Sequence, residues 1–182
     1  SRSVACCVYK YRYDQCRELL YMTKEILLKK MKDLNATLKV TFKLPRVAHS
    51  KHEVPSRLSI KDVDFVETEI LRQFFINTQR AVDFDFYAYA EDKAKDNDKR
   101  FVGLHYHAVV RSKNDAKFIA VAPKKYKSVL TNRFSYFQKY FVMPRNPLFI
   151  EHLHNSSSLQ EADAYEQYCL KHYDPSRSLV SS

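Results

Sequence analysis

The sequence predicts an α+β fold in which a single antiparallel sheet carries helices packed on it. Several short segments alternate apolar and polar residues, which is typical of strands with one buried face. Segments with apolar residues at helical spacing separate them, and a charged turn, 92–100, links two alternating segments as in a hairpin. The 182 residues and 45% apolar content suit one domain, which we expect to span 1–182, with a helical extension at 1–36 and a flexible tail at 175–182.

The individual elements follow from these two periodicities and from candidate capping residues. Asp14 and Ser59 are N-cap candidates ahead of apolar residues at helical spacing, and Pro123 is a candidate first residue of a further helix. Ser158 with Glu161 forms a capping-box pattern for the last helix. The expected order is a helix from Asp14 to about Leu34, a strand 38–44, a loop 45–55, a helix from Ser59, a hairpin of strands 84–91 and 101–110, a helix from Pro123 to about Tyr140, a short strand 148–153 and a helix through Lys171.

Positive charge is concentrated in one part of the chain. The formal net charge is +10, and between Ala108 and Ile150 Asp115 is the only acidic residue. Aromatic residues interleave with the cations there, which suits single-stranded nucleic acid, because cations neutralise phosphates and aromatic rings stack on unpaired bases. The alternative is a basic solvated helix whose aromatics belong to the core. The candidate DNA-binding residues are Arg111, Lys113, Lys124, Lys125, Lys127, Arg133 and Lys139.

Composition argues against several classes of protein. Gly103 is the only glycine, so glycine-rich phosphate loops of the P-loop or Rossmann type are excluded. We find neither a membrane-spanning apolar run nor a signal peptide, and therefore expect a soluble, intracellular protein with no membrane partner. The four cysteines form no C-x-x-C pair, which indicates neither structural zinc nor a disulfide framework and suits a reducing cytoplasm.

The strand 101–110 contains the most informative motif, His105-Tyr106-His107. Because side chains alternate along a strand, His105 and His107 share one face, while Tyr106 lies on the other with apolar neighbours. Two neutral imidazoles one strand repeat apart can bind a divalent metal ion. Histidines at this spacing also occur as ordinary polar side chains.

Glu91 ends the strand that is expected to pair with the histidine strand. A hairpin would bring its carboxylate next to His105 and His107. Two imidazoles and one carboxylate give a three-ligand site with open positions, suited to Mg²⁺ or Mn²⁺ polarising a phosphate. The alternative is a surface acid beside a charged turn.

Tyr168-Cys169-Leu170-Lys171, on the last expected helix, places Tyr168 and Lys171 on one helical face. A tyrosine hydroxyl, whose ordinary pKa is near ~10, attacks a phosphodiester only where a metal or a cation stabilises the developing charge. The pattern is weak on its own, since Tyr136 and Lys139 match it too.

Taken together, the motifs resemble the HUH endonuclease superfamily of rolling-circle replication initiators, relaxases and related transposases. The sequence is most similar to the replication initiators of filamentous phages (inoviruses) and their prophage relatives. The similarity covers roughly Leu38 to Asp174, with Gln167 standing where a serine often precedes the tyrosine and the strand 38–44 matching only loosely. The motifs that carry it are Tyr87-Ala88-Tyr89-Ala90-Glu91, then His105-Tyr106-His107, then Asn114, then Tyr168-Cys169-Leu170-Lys171.

This resemblance implies a five-stranded, RRM-like antiparallel sheet and a metal-dependent, site-specific nickase of single-stranded or hairpin origin DNA. It implies Mg²⁺ or Mn²⁺ held by His105, His107 and Glu91. Tyr168 would be the nucleophile, leaving a 5′-phosphotyrosine and a free 3′-hydroxyl with assistance from Lys171. A host helicase and polymerase would be partners in the cytoplasm of a bacterial host cell.

Some alternatives stay open at the level of sequence. Tyr165 is either a second nucleophile or a packing residue. Within the superfamily, the chain could be a relaxase, a transposase or a free-standing nicking nuclease; outside it, a non-catalytic module that binds single-stranded nucleic acid. His152-Leu153-His154 repeats the histidine spacing, but a loop-like run follows it and no strand with a suitably placed acid precedes it, so we interpret it as a match without function.

Overall fold

The computed structural model describes residues 32–94, 100–137 and 139–153 and the backbone of 178–180. Residues 32–34 are helical, and the rest of the expected N-terminal helix and the whole of the last expected helix lie outside these ranges. The strands are β1 (Leu38–Lys43), β2 (Arg46–Ala48), β3 (Ser56–Arg57), β4 (Phe84–Lys93), β5 (Phe101–Ser112), β6 (Tyr140–Val142), β7 (Leu148–His152) and β8 (Ser178–Val180), and the long helical segments are α1 (60–79) and α2 (Asp115–Tyr136).

Five strands form the main sheet, in the order β7-β1-β5-β4-β8, and every neighbouring pair is antiparallel. With helices packed on this sheet, the α+β prediction is confirmed, and the strand number agrees with what the resemblance implies. β5 lies between β1 and β4, near the middle of the sheet. β8 falls in the segment 175–182 that was expected to be a tail; instead its backbone pairs with β4, with Ser178 opposite Tyr89.

The two faces of the sheet have different roles. Tyr106, Ala108 and Val110 of β5 are fully buried against α1 and α2, together with the alternate residues of β1 and β4. His105 and His107 lie on the opposite face, as the alternation of the strand requires. The structure thus confirms the predicted division of β5 into a core face and a histidine face.

The segment α1 begins at Ser59, as predicted. The Ser59 hydroxyl accepts a hydrogen bond from the Lys61 backbone N–H at 3.3 Å, and the Asp62 carboxylate accepts one from the Ser59 N–H at 2.8 Å, which completes a capping box. The segment is not a uniform α-helix, since it contains a π-helical stretch, Val66–Leu71, before the α-helix Arg72–Gln79. That stretch buries Glu67 completely among apolar residues.

The predicted start of α2 at Pro123 is wrong. The helix begins at Asp115, and the Asn114 side chain caps it by accepting a hydrogen bond from the Lys117 N–H at 3.0 Å. Pro123 therefore lies inside the helix, where a proline costs about 3 kcal/mol. Burial of Phe118 and other apolar side chains on the sheet offsets that cost, because each contributes roughly 1.5–3 kcal/mol.

A second, small sheet has the order β3-β2-β6 and was not predicted. β2 lies in the segment 45–55 that was expected to be a loop, and β6 follows the end of α2 at Tyr136, where the helix was expected to continue to about Tyr140. Strands of two or three residues are too short to show an alternating pattern. Tertiary burial of Val47 and Ala48 selects the extended backbone there instead.

Candidate metal centre

The pairing of β4 with β5 brings one carboxylate to two imidazoles. Glu91 is directly opposite His105, and Tyr89 is opposite His107, so Glu91 and His107 are diagonal neighbours on one face. The Glu91 Oε2 atom lies 3.4 Å from Nε2 of His105 and 3.2 Å from Nε2 of His107. A register shift follows Glu91 in β4, and such irregularities commonly redirect side chains beside functional sites.

The ring of His105 is oriented by the backbone of its own strand. Its Nδ1 lies 2.8 Å from the carbonyl oxygen of Gly103. In the neutral imidazole, this hydrogen bond assigns the proton to Nδ1 and leaves Nε2 with a lone pair that can bind a metal ion. Gly103 has a φ of +90°, a backbone conformation that residues with a side chain rarely adopt. The single glycine of the chain therefore has a local role beside the candidate site.

Burial and mutual contact set the charge states of the three residues. Only 6% of the Glu91 side chain is exposed. Burial alone would raise the pKa of Glu91, but hydrogen bonds and charge interactions with His105 and His107 outweigh it and lower the pKa to about 2. Burial lowers the pKa of His107 below 6.5, despite the opposing contact with Glu91. At neutral pH the carboxylate is therefore ionised and His107 is neutral, which are the forms that bind metal.

Tyr106, the residue between the two histidines, anchors the strand from the other face. Its hydroxyl donates a hydrogen bond to the Glu67 carboxylate in the π-helical part of α1, at 3.2 Å. Burial, followed by the nearby Glu67 carboxylate, raises the pKa of Tyr106 well above 10. Tyr106 is therefore a fixed, neutral side chain that ties β5 to α1 and holds the two histidines in place.

The donor atoms of Glu91, His105 and His107 fit a metal ion. One ligand atom from each residue lies within 4.8 Å of the others, so all three can contact a single ion. Two imidazole nitrogens and one carboxylate oxygen are a mixed donor set that leaves further coordination positions open. The hydrogen bond that orients the ring of His105 and the low pKa of Glu91 both favour such binding.

Sequence reasoning missed the neighbours that β1 contributes to this face. Thr41 is opposite His107 and Lys43 is opposite His105, so both side chains share the face of the histidines. The ammonium group of Lys43 lies 5.9 Å from the ring centre of Phe149 on β7. The alternation of the strand 38–44 identified its polar side, but the register with β5, which places that side at the histidines, is a tertiary feature.

The candidate DNA-binding cations lie in different parts of the molecule. Arg111 is near the end of β5 and donates a hydrogen bond to the Asn35 carbonyl at 3.2 Å, and Lys113 follows the strand. The other five belong to α2 or follow it, and α2 packs on the sheet face opposite the histidines. The structure therefore does not bring those five cations to Glu91, His105 and His107: Lys124, Lys125, Lys127, Arg133 and Lys139.

Two of those five cations have intramolecular partners. Arg133 forms an ion pair with Glu69 and lies over the rings of Tyr136 and Phe137. The ammonium group of Lys139 lies 4.9 Å from the ring centre of Phe65. The aromatic residues between Ala108 and Ile150 also fall into two groups, since some are buried in the core and others are exposed.

The expected nucleophile Tyr168, its partner Lys171 and the alternative Tyr165 lie outside the described residues. The second histidine motif is described only in part: His152 ends β7 as an exposed residue, and Leu153 is buried. In the part of the chain that the structure describes, Glu91, His105 and His107 are the only histidine, cysteine, aspartate or glutamate residues grouped closely enough to hold a metal ion.

Comparison with known proteins gave no match: no family model, no curated protein and no solved structure is significantly similar to the chain. Across the described ranges, no helix combines the length and apolarity needed to cross a membrane.

Proposed function

We propose that this protein is a metal-dependent, site-specific nickase of single-stranded DNA that forms a 5′-phosphotyrosine intermediate, acting as the initiator of rolling-circle replication of a phage, prophage or plasmid. The observation that carries the proposal is the group Glu91, His105 and His107 on adjacent strands of a five-stranded antiparallel sheet. The order of motifs in the sequence, which resembles HUH endonucleases, supplies the type of reaction.

The proposed cofactor is Mg²⁺ or Mn²⁺, held by Glu91, His105 and His107. When bound, the ion would polarise a phosphate of the DNA and stabilise the charge that develops on it. Glu91 supplies the negative charge of the site, because its low pKa keeps it ionised. His105 presents Nε2 because its Nδ1 is engaged by Gly103.

Tyr168 is the proposed nucleophile. Its hydroxyl oxygen bonds to the scissile phosphorus, the bond from phosphorus to the 3′-oxygen breaks, and the departing oxygen takes up a proton to become a free 3′-hydroxyl. Lys171, one helical turn from Tyr168 in the expected helix, would stabilise the phenolate as the proton leaves. After Tyr168 and Lys171, the chain returns to the main sheet at β8, beside the strand that carries Glu91.

The proposed substrate lies across the histidine face of the sheet. α1 and α2 cover the other face, so the histidine face is the one on which a DNA strand can reach Glu91, His105 and His107. Lys43 and Arg111 are exposed cations on strands of this face. In this account, the unwinding and synthesis that follow nicking depend on a host helicase and polymerase in the bacterial cytoplasm.

The test measures cleavage of labelled single-stranded origin DNA by the full chain in the presence of Mn²⁺. His107→Ala should lower the cleavage rate by at least about a hundredfold, because it removes a metal ligand, and should retain DNA binding. His152→Ala is the matched control from the second histidine motif and should cleave at the wild-type rate. Chelation should abolish cleavage and added Mn²⁺ or Mg²⁺ should restore it. Cleavage by His107→Ala at the normal rate would overturn the assignment of the site.

A second candidate function is binding of single-stranded nucleic acid without cleavage. Exposed aromatic rings at the end of α2 favour it: 70% of Tyr136 and 37% of Phe137 are exposed, and Arg133 lies over both rings. Bases can stack on such rings. This candidate predicts DNA binding that chelation leaves unchanged and no cleavage with any metal.

A further inference from the structure

The cavity beside His105 has a composition that the metal centre does not explain. It has a volume of about 600 Å³ and lies between the start of β5 and the small sheet. Three cations line it, Lys43, Arg46 and Arg57, and its lining contains no aspartate or glutamate. Among the described residues, none of these three side chains forms an ion pair with a carboxylate. Within the described ranges, the cavity is thus a concentration of positive charge with no carboxylate paired to it.

The pairing of β2 with β3 makes this charge costly. Arg46 is directly opposite Arg57 in the register of the small sheet, and both residues line the cavity. One guanidinium nitrogen of Arg57, Nη1, donates a hydrogen bond to the Val102 carbonyl, which leaves its other N–H groups as donors for an anion. Like charges that are directly opposite on neighbouring strands destabilise a sheet. An anion between the two guanidinium groups would remove the repulsion and accept charge-assisted hydrogen bonds from both. The arrangement of the two arginines therefore favours a phosphate group as occupant.

The rest of the lining is apolar. Val142, Met143 and Pro144, which end β6 and follow it, form part of one wall, and Val54 and Pro55 ahead of β3 contribute to the lining as well. Val54 and Val142 remain 89% and 55% exposed. A planar nucleobase can cover such side chains while its phosphate contacts the cations, so a nucleotide matches both halves of the lining.

The cavity is continuous with the metal centre, because His105 and Gly103 line it too. His105 therefore belongs to both sites: one of its ring nitrogens is a candidate metal ligand, and the residue also lines the cavity. A DNA strand with one phosphate at the metal centre could place its neighbouring nucleotide in the cavity without leaving the surface of the sheet.

We infer that the cavity bounded by Lys43, Arg46, Arg57 and β6 binds the nucleotide adjacent to the scissile phosphate of a single-stranded DNA substrate. The inference rests on the proposed function for the identity of the substrate. The cations hold the phosphate of that nucleotide and the apolar wall holds its base, so the cavity sets the position of the strand relative to Glu91, His105 and His107.

The experiment measures binding of a labelled oligothymidylate to the full chain by fluorescence anisotropy, in chelator, so that cleavage plays no part. Arg46→Gln should weaken binding by about tenfold, which corresponds to one charge-assisted hydrogen bond. It should also reduce the salt dependence of the affinity by about 0.7 in the log–log slope, as expected when one phosphate contact is lost. Arg80→Gln removes an equal charge from the exposed end of α1, outside the cavity, and should change affinity by less than about twofold.

A photocrosslink locates the base. Oligonucleotides with a single iodouracil at successive positions should crosslink to Val142, Met143 or Pro144 from one position only, and thermal unfolding should verify that each variant is folded. Equal affinities for Arg46→Gln and Arg80→Gln, or crosslinks confined to α2, would overturn the inference. Failure of the proposed function gives a different result: the cavity variants lose binding as expected, but no metal yields cleavage.

Discussion

At the scale of single residues, the orientation of His105 depends on the glycine two positions before it. Gly103→Ala would place a Cβ atom 3.0 Å from Cβ and Cδ of Arg57, at a backbone φ of +90°. The strain should lower the free energy of unfolding by about 1–3 kcal/mol. Movement of the Gly103 carbonyl away from His105 should also weaken Mn²⁺ binding by at least about tenfold. Urea unfolding and titration calorimetry measure the two effects.

A second variant separates the steric contact from the backbone strain. In Gly103→Ala combined with Arg57→Gly, which removes the Cβ atom of residue 57 as well, the steric contact is gone, but the positive φ of residue 103 remains unfavourable. We expect Mn²⁺ affinity to recover only in part. Wild-type affinity in the Gly103→Ala single variant would show that the Gly103 carbonyl does not orient His105.

The low pKa of Glu91 predicts a pH dependence of stability in the metal-free protein. Its pKa is lowered from 4.5 to about 2, so the folded state favours the ionised form and gains stability above pH 4.5. That contribution is lost as the pH falls through about 2. The free energy of unfolding should therefore fall more steeply between pH 4.5 and 2 for the wild type than for Glu91→Gln.

The control for this comparison is Glu151→Gln, which removes an exposed carboxylate of β7 that lies 3.7 Å from the ammonium group of Lys39. Its unfolding curve should run parallel to the wild-type curve over the same pH range, because an exposed ion pair contributes little to stability. Parallel curves for the wild type and Glu91→Gln would contradict the buried ion-pair geometry of Glu91.

At the scale of elements, α2 depends on its N-cap. Asn114→Ala removes the side-chain acceptor for the Lys117 N–H and should destabilise the protein by about 1 kcal/mol. Asn132→Ala makes the same change on the exposed side of the helix interior, where alanine is the better helix former, and should be neutral or slightly stabilising. Thermal unfolding compares the two variants, and an equal loss in both would show that Asn114 is not the cap.

The starts of α1 and α2 show what local sequence signals can and cannot predict. Ser59 was identified as a cap because its pattern is local and apolar residues follow at helical spacing. Asn114 was noticed only through the resemblance, because Pro123 gave the stronger local signal for a helix start. The burial of Phe118 and Ala122 on the sheet overrides that signal, and burial of this kind depends on residues far away in the sequence.

At the scale of the whole molecule, the sheet separates the two groups of cations. Charge reversal of Lys43, on the histidine face, should weaken binding of single-stranded DNA more than charge reversal of Lys125 on α2. Salt screens the interaction between charges over about 8 Å at physiological ionic strength. The sheet and α2 itself separate Lys125 from the metal centre, so Lys125 should interact only weakly with DNA bound there. Anisotropy titrations at several salt concentrations compare the loss of DNA affinity in the two variants. A larger loss for Lys125→Glu would place the DNA on α2.

The grouping of Glu91, His105 and His107 was predictable because both of its parts are local patterns. Alternation along β5 placed His105 and His107 on one face, and the hairpin placed Glu91 beside them, as the distances of 3.4 and 3.2 Å confirm. The contributions of β1 and of the small sheet could not be predicted, because Lys43 and Arg57 reach the site through pairings between distant segments. The assignments of Tyr168 and Lys171 stay predictions.

One measurement tests the central claim most directly: the search for a covalent bond between the protein and DNA. The full chain is incubated with labelled single-stranded origin DNA and Mn²⁺, denatured, digested and analysed by mass spectrometry. We predict an adduct on Tyr168 that persists in Tyr165→Phe and disappears in Tyr168→Phe, with folding and DNA binding retained in both variants. An adduct on Tyr165, Tyr136 or Tyr173 would contradict the nucleophile assignment, and the absence of an adduct with any metal would contradict the proposed function.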